Sequence, residues 1–187
     1  FLIISYIFVK YFYNQPNMFK KITFLLISFF FFQQISSQIN KGRKIITTTR
    51  VTESPKIDGI LDDEAWSNAE IATDFFEFRP ENGKKVSVDY QTTVRVIYND
   101  DAIYISATML DPEPNEIPQQ FVTRDNFGIA DFFLVTINPN DDGQNPFEFI
   151  VQSTGNQADA RVSNGREDFN WSAVWKSAAK ITDKGWN

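Results

Sequence analysis

The side chains of this chain that could do chemistry are mainly carboxylates. Its 187 residues include 24 Asp and Glu but no His and no Cys. A Ser-His-Asp triad, a zinc site with imidazole ligands, a disulfide scaffold and a cysteine-linked lipid anchor are therefore excluded. Glycoside hydrolysis needs two carboxylates at a set separation, one of them with a raised pKa. So many acids make a pair conceivable, but no spacing in the sequence singles one out.

The stretch "NPNDDGQN" has oxygen-bearing side chains at alternate positions. Asn138, Asn140 and Asp142 precede a glycine, as in half of a calcium-binding loop. The twelfth position holds Phe149 where an EF-hand has a bidentate glutamate, so an EF-hand is excluded. Asp142 is thus one candidate calcium ligand, and Asp111, at a strand end in "LDPEP", is another. A plain hairpin turn is the alternative interpretation.

Two hairpins are predicted from alternating apolar and polar residues, because successive side chains of a strand point to opposite faces. The first joins "TTVRVIYN" (92–99) to "AIYISATML" (102–110) through "NDDA", whose residues tolerate left-handed backbone angles. The second joins "DFFLVTIN" (131–138) to "PFEFIVQS" (146–153) through the oxygen-rich loop. Further strand candidates are "KIITTTRV", "DFFEF", "QQFVT" and "KSAAKIT".

One short helix is predicted, at "DDEAWSNA" near the start of the domain. Asp62 could cap its first turn, and the following acids suit its positive end. Ile60 and Leu61 are expected to enter the core, and Trp66 to pack on a sheet. Many short strands, frequent turns and one brief helix predict an all-β fold, an antiparallel β-sandwich or barrel.

The first part of the chain is typical of a secretory signal peptide. Met18 is followed by two lysines, the apolar run "ITFLLISFFFF" and small polar residues. That run of about eleven residues is too short to span a bilayer, although a membrane anchor lengthened by the preceding apolar segment is the alternative. The domain prediction is a signal peptide over 18–38, an upstream extension over 1–17, and one domain over 39–187.

The charge of the predicted exported part argues against a nucleic-acid partner. Residues 1–38 contain three lysines and no acids, so 15 basic and 24 acidic residues remain, a net charge of −9. Phosphate binding requires clustered Lys and Arg. No nucleic-acid partner is therefore expected.

Several stretches resemble known sequences. "IDGILDDEAW" resembles the signature near the start of family 9 carbohydrate-binding modules. The stretches "VRVIYNDDAIYISATMLDPEP", "DNFGIADFFLVTINPNDDGQNPFEFIVQSTGNQADA" and "WSAVWKSAAKITDKGW" are similar to later parts of that family, in the same order, so the resemblance covers roughly residues 45 to 187. With "FRPENG", "TRDNFGIADFF" and "WSAVW", the chain resembles the N-terminal module of secreted Bacteroidetes proteins that carry a downstream domain of unknown function, DUF5916. A strand expected after "GWN" is missing, which predicts a sandwich truncated at its C-terminus.

The resemblance implies a jelly-roll-like β-sandwich that grips sugar ends between aromatic rings, with calcium ions supporting its loops. Aromatic faces stack on the apolar face of a pyranose, and amides, carboxylates and Arg bind its hydroxyls. The candidates for stacking are Trp171 and Trp175, which could also be core residues. Arg124, Asp125 and Asn126 are the candidates for hydrogen bonding, although a solvated ion pair is their alternative role.

The predicted function is non-catalytic binding of polysaccharide ends, of xylan or cellulose type, by the N-terminal module of a larger protein of carbohydrate catabolism. Its partners would be a polysaccharide or oligosaccharide and the downstream domain of the same chain. Export would place it in the periplasm, at the outer membrane or outside the cell. The alternatives are a structural or interaction sandwich that has lost sugar binding, since a fold does not fix a function, and part of a glycoside hydrolase of the endo-xylanase type.

Overall fold

Short strands dominate residues 44–187, the part of the chain described by the computed structural model. In chain order they are β1 (Thr49–Arg50), β2 (Ile71–Ala72), β3 (Thr92–Tyr98), β4 (Ile103–Leu110), β5 (Phe132–Ile137), β6 (Phe147–Gln152), β7 (Gln157–Ser163), β8 (Arg166–Asp168), β9 (Ile181–Thr182) and β10 (Gly185–Trp186). Short 3-10 helices lie at Glu64–Trp66, Val88–Tyr90 and Pro114–Glu116. Among the described residues, no helix has the length and apolar character needed to cross a membrane. The predicted upstream extension and signal peptide lie outside the described residues.

The first sheet has the strand order β1–β3–β4–β10–β9, and β2 pairs with β3 on the same side as β1. The predicted hairpin is confirmed, because β3 pairs antiparallel with β4 along its whole length. The Asn99 side chain closes the turn: its Oδ1 accepts hydrogen bonds from the backbone N–H groups of Asp101 and Ala102, at 2.9 and 3.0 Å. An Asn at the start of "NDDA" therefore supplies the turn chemistry expected of it.

The second sheet has the strand order β5–β6–β7–β8, and all its pairs are antiparallel. Its first hairpin, β5 with β6, was predicted. The next two, β6 with β7 and β7 with β8, were not predicted. Asn164 and Gly165 form the turn between β7 and β8, with φ angles of 52° and 71°. Asn-Gly with positive φ at both residues is a strong short-range hairpin signal. Together the two sheets confirm the predicted all-β sandwich.

Trp66 is a core residue, as predicted. It is 6% exposed and packs with Ala69 and with Ile97 of β3, while Leu61 borders the cluster. The prediction for Ile60 is wrong, because that side chain is 37% exposed. The "IDGILDDEAW" stretch is therefore a structural corner that buries its tryptophan against the first sheet.

The predicted helix in this corner is only the single 3-10 turn Glu64–Trp66. The predicted cap at Asp62 is wrong, because Asp63 occupies the N-cap position and makes no side-chain cap bond. Asp63 instead accepts a hydrogen bond from the backbone N–H of Lys56, at 3.3 Å. A single turn is too short to propagate as an α-helix, so burial of the tryptophan rather than helix propensity fixes its conformation.

All four further strand candidates are wrong or much shortened. "KIITTTRV" contributes only Thr49–Arg50. "DFFEF" and "QQFVT" each contribute one isolated bridge, and "KSAAKIT" contributes only Ile181–Thr182. Alternation shows that one face of a segment could be buried, but a strand also requires a neighbouring backbone to pair with. Residues 171–180 consequently form no strand.

Candidate functional site

Residues 171–177, here called the covering segment, lie against one face of the second sheet. The Phe149 ring of β6 has the Trp171 ring 6.3 Å away at 76° and the Trp175 ring 5.4 Å away at 82°. Both are edge-to-face contacts, a favourable geometry for aromatic pairs. Phe149 pairs directly with Asp159 of β7, so the same face presents a carboxylate beside the aromatic cluster.

Asp159 connects this face to the covering segment. Its side chain is fully buried. Oδ1 accepts a hydrogen bond from the backbone N–H of Ala173 at 2.7 Å, and Oδ2 accepts one from Trp175 Nε1 at 3.0 Å. Oδ2 also pairs with the guanidinium of Arg124. One buried carboxylate therefore fixes the position of a tryptophan, an arginine and the backbone between them.

Arg124 bridges the covering segment and β7. Its Nη1 donates to Gln157 Oε1 at 2.7 Å, and its Nη2 donates to the carbonyl oxygen of Ala173 at 2.9 Å as well as to Asp159. Asp125 Oδ2 lies 3.7 Å from Arg124 Nε. The side chain is nevertheless 38% exposed, so a guanidinium held in a fixed orientation still faces solvent.

A cleft of about 530 Å³ opens beside these groups. We call it the Trp175 cleft. It is lined by Ile57, Arg124, Gly155, Asn156, Gln157, Trp175, Lys176 and Ser177. Its volume lies within the range of small-molecule sites, about 300–1,000 Å³. An indole with guanidinium, amide and hydroxyl groups around it matches the chemistry that binds sugars.

Hydrogen bonds hold the amides of the cleft in place. Gln157 Nε2 donates to Ser177 Oγ at 2.8 Å, which ties β7 to the covering segment. Asn156 Nδ2 donates to the carbonyl oxygen of Val122, and Asn156 Oδ1 accepts from Thr154 Oγ1 at 2.8 Å. The cleft wall is thus organised before any ligand arrives, which reduces the entropy lost on binding.

The predicted hydrogen-bonding and stacking residues are brought near one another but have different surroundings. Arg124 and Trp175 line the cleft, whereas Trp171 lies outside its lining. Asp125 Oδ1 accepts a hydrogen bond from the backbone N–H of Asp159 at 3.2 Å. Asn126 Nδ2 donates to a threonine hydroxyl three residues earlier, at 2.9 Å. Sugar contact by any of the five residues stays a prediction.

Asp142, a candidate calcium ligand, has its oxygens engaged within its own loop. Oδ1 accepts from the backbone N–H groups of Gln144 and Asn145, and Oδ2 accepts from Asn145 Nδ2. These bonds lower the pKa of Asp142 to about 2. Calcium takes six to eight oxygen ligands. Within residues 44–187 no three His, Cys, Asp or Glu side chains are grouped so that they could hold a metal ion. Calcium binding stays a prediction.

Asp111, the other candidate calcium ligand, lies in a second cleft of about 340 Å³ together with Asp131. Burial, and secondly the negative charge of Asp111, raise the pKa of Asp131. Asp111 Oδ1 accepts a hydrogen bond from the backbone N–H of Glu113 at 2.7 Å. The second cleft therefore places two carboxylates close together, with no Lys or Arg among the residues that line it.

Sequence patterns did not predict Asp159 or the cleft residues Asn156, Gln157, Lys176 and Ser177. The Asn-Gly turn after β7 was the signal that could have found some of them. With that hairpin recognised, alternation along the strand would have placed Gln157 and Asp159 on one face. No sequence pattern indicates that the covering segment crosses that face.

Comparison with known proteins gives one match. A family model described as "Carbohydrate family 9 binding domain-like" matches residues 57–186. The match runs from the turn before Trp66 to β10, so it includes every strand except β1, the covering segment and all the residues that line the Trp175 cleft. No curated protein and no solved structure matches the chain.

Proposed function

The chain belongs to the carbohydrate family 9 binding domain-like family, and we propose that it binds oligosaccharides without catalysis in the Trp175 cleft. The observation that supports this site is the presence of an indole beside fixed hydrogen-bonding groups in one cleft. None of the residues that line it is Asp or Glu. A pair of carboxylates for glycoside hydrolysis is therefore not found among the lining residues of this cleft.

Five of the lining residues have a role in this proposal. The Trp175 ring stacks on the apolar face of a pyranose, and its Nε1 bond to Asp159 holds the ring in position. Arg124 donates its remaining N–H groups to ring hydroxyls. The amides of Asn156 and Gln157 and the hydroxyl of Ser177 provide directional donors and acceptors that select hydroxyl positions.

The finer parts of the proposal come from the sequence. We propose that the ligand is the end of a xylan-like or cellulose-like polysaccharide, and that the domain is the N-terminal module of a larger exported protein of carbohydrate catabolism. The signal-peptide pattern after Met18 supports export to the periplasm, the outer membrane or the cell exterior. The resemblance to modules that precede DUF5916 supports a partner domain in the same protein.

The test is calorimetric titration with xylo- and cello-oligosaccharides, in calcium and in chelator. We expect saturable binding that Trp175→Ala weakens roughly tenfold, the loss expected for a stacked ring. Trp171→Ala is the matched control, because Trp171 contacts Phe147 and Phe149 and lies outside the cleft lining. Its expected effect is on thermal stability.

Two results would contradict the proposal. Absence of binding by a folded protein would leave a sandwich with a structural or interaction role. Loss of affinity in Trp171→Ala but not in Trp175→Ala, with both variants folded, would move the site to another part of the second sheet. If chelator alone abolished binding, calcium would be a required cofactor.

A further inference from the structure

The lining of the Trp175 cleft includes cations but no anion. Arg124 and Lys176 line the cleft, whereas no Asp or Glu does. The chain as a whole has a net charge of −6, so a cleft with only basic charged groups is unlike the average of the protein. In a cleft with low-dielectric walls, charges of one sign raise the local concentration of ligands of the opposite sign.

The two cations differ in how fully they are neutralised. Arg124 pairs with the buried carboxylate of Asp159 and lies near Asp125. Lys176 is exposed, and it forms no hydrogen bond or ion pair with another residue of the described range 44–187. Lys176 follows Trp175 directly in sequence and lines the same cleft. The lining thus includes a lysine without an ion-pair partner in the described range, beside neutral donors and acceptors and an arginine that is already paired.

We propose that the Trp175 cleft prefers oligosaccharides with an anionic substituent over neutral ones, and that Lys176 confers this preference. This inference rests on the proposed function. The ligand chemistry is a pyranose for Trp175 with a carboxylate, as in a uronic acid, or a sulfate within reach of the ammonium. Lys is a compact charge with three donors, so it pairs with either anion without needing a planar, two-point geometry.

The size of the preference follows from the exposure of Lys176. A solvent-exposed ion pair at the favourable end of its range strengthens binding by about fivefold. Calorimetric titrations at about 10 mM salt compare a xylo-oligosaccharide with the same oligosaccharide bearing one glucuronic acid, and with a sulfated counterpart. The carboxylate and sulfate probes show which anion is preferred. At about 1 M salt the preference is expected to fall close to parity.

Three lysine variants isolate the charge. Lys176→Gln should lose about fivefold more affinity for the acidic oligosaccharide than for the neutral one, which removes the preference. Lys176→Arg should retain most of the preference, because it keeps the charge. Lys184→Gln is the matched control: Lys184 is also exposed, lies outside the cleft lining, and its loss changes net charge equally.

The outcomes separate this inference from the proposed function. Equal affinity for neutral and acidic oligosaccharides would overturn the inference and leave the sugar site in place. Equal loss of preference in Lys176→Gln and Lys184→Gln would also overturn it, because the effect would then arise from net charge. Binding of no oligosaccharide by the folded parent protein would overturn both.

Discussion

Substitution of Asp159 should reveal how strongly the second sheet and the covering segment depend on one carboxylate. In Asp159→Ala two donors lose their acceptor, the backbone N–H of Ala173 and Nε1 of Trp175. Each donor left unsatisfied in a buried position costs roughly 1–3 kcal/mol. Arg124 also loses its ion pair, but its side chain is 38% exposed, so water screens that loss to at most about 1 kcal/mol. The expected destabilisation is therefore about 2–7 kcal/mol.

Asp159→Asn is a gentler test of the same reasoning. The amide keeps one acceptor oxygen but places an NH₂ group against a donor, so we expect a cost of about 2–3 kcal/mol. Arg124→Met removes the other partner and leaves a buried carboxylate without its counter-charge, which also destabilises the fold. Because the two side chains share one network, the double variant Arg124→Met/Asp159→Asn should cost less than the sum of the single variants.

Urea unfolding followed by tryptophan fluorescence measures these differences in unfolding free energy. The slope of the unfolding free energy against urea concentration should be the same in all variants, which shows that the same transition is compared. Val174→Ala is the control in the covering segment, because that side chain is fully exposed. A cost below about 0.5 kcal/mol for Asp159→Asn, the size of an ordinary surface substitution, would refute the reasoning. The reasoning would also be refuted if the double variant cost as much as the sum of the Arg124→Met and Asp159→Asn variants.

The remaining predictions concern a glycine and two carboxylates. Gly185→Ala should lower the unfolding free energy by about 2–3 kcal/mol, because φ is +138° and a Cβ would clash with the Met109 carbonyl oxygen. Gly83→Ala is the control and should cost less, because the space around Gly83 is open. Asp131→Asn should stabilise the protein at pH 7. Because the pKa of Asp131 is raised in the folded protein, ionisation of Asp131 opposes folding as pH rises from about 3.8. The extra stability of Asp131→Asn, measured by urea unfolding, should therefore vanish below that pH. Asp142→Ala should flatten the loss of stability between pH 4 and about 2, because the lowered pKa of Asp142 makes its contribution disappear as pH falls through that range. Unchanged pH profiles for these two variants would show that the carboxylates lack the assigned environments.

Local patterns in the sequence predicted much of the fold. Alternation identified β3, β4, β5 and β6, because each has a neighbouring strand next to it in the chain. The candidates "DFFEF" and "QQFVT" lack such a neighbour, and each forms only an isolated bridge. The corner around Trp66 was also predictable, because a large indole is usually buried to a high degree.

The candidate site was predicted only in part, for a physical reason. The sequence by itself determined the all-β class, the β3–β4 and β5–β6 hairpins, the lack of imidazole and thiol chemistry, and Arg124 and Trp175 as candidate sugar-binding residues. Only the tertiary structure joined those two through Asp159, which lies 35 residues from Arg124 in the chain. Periodicity reports which face of its own strand a side chain occupies. It carries no information about a strandless segment crossing that face, because that position is set by contacts between residues distant in sequence.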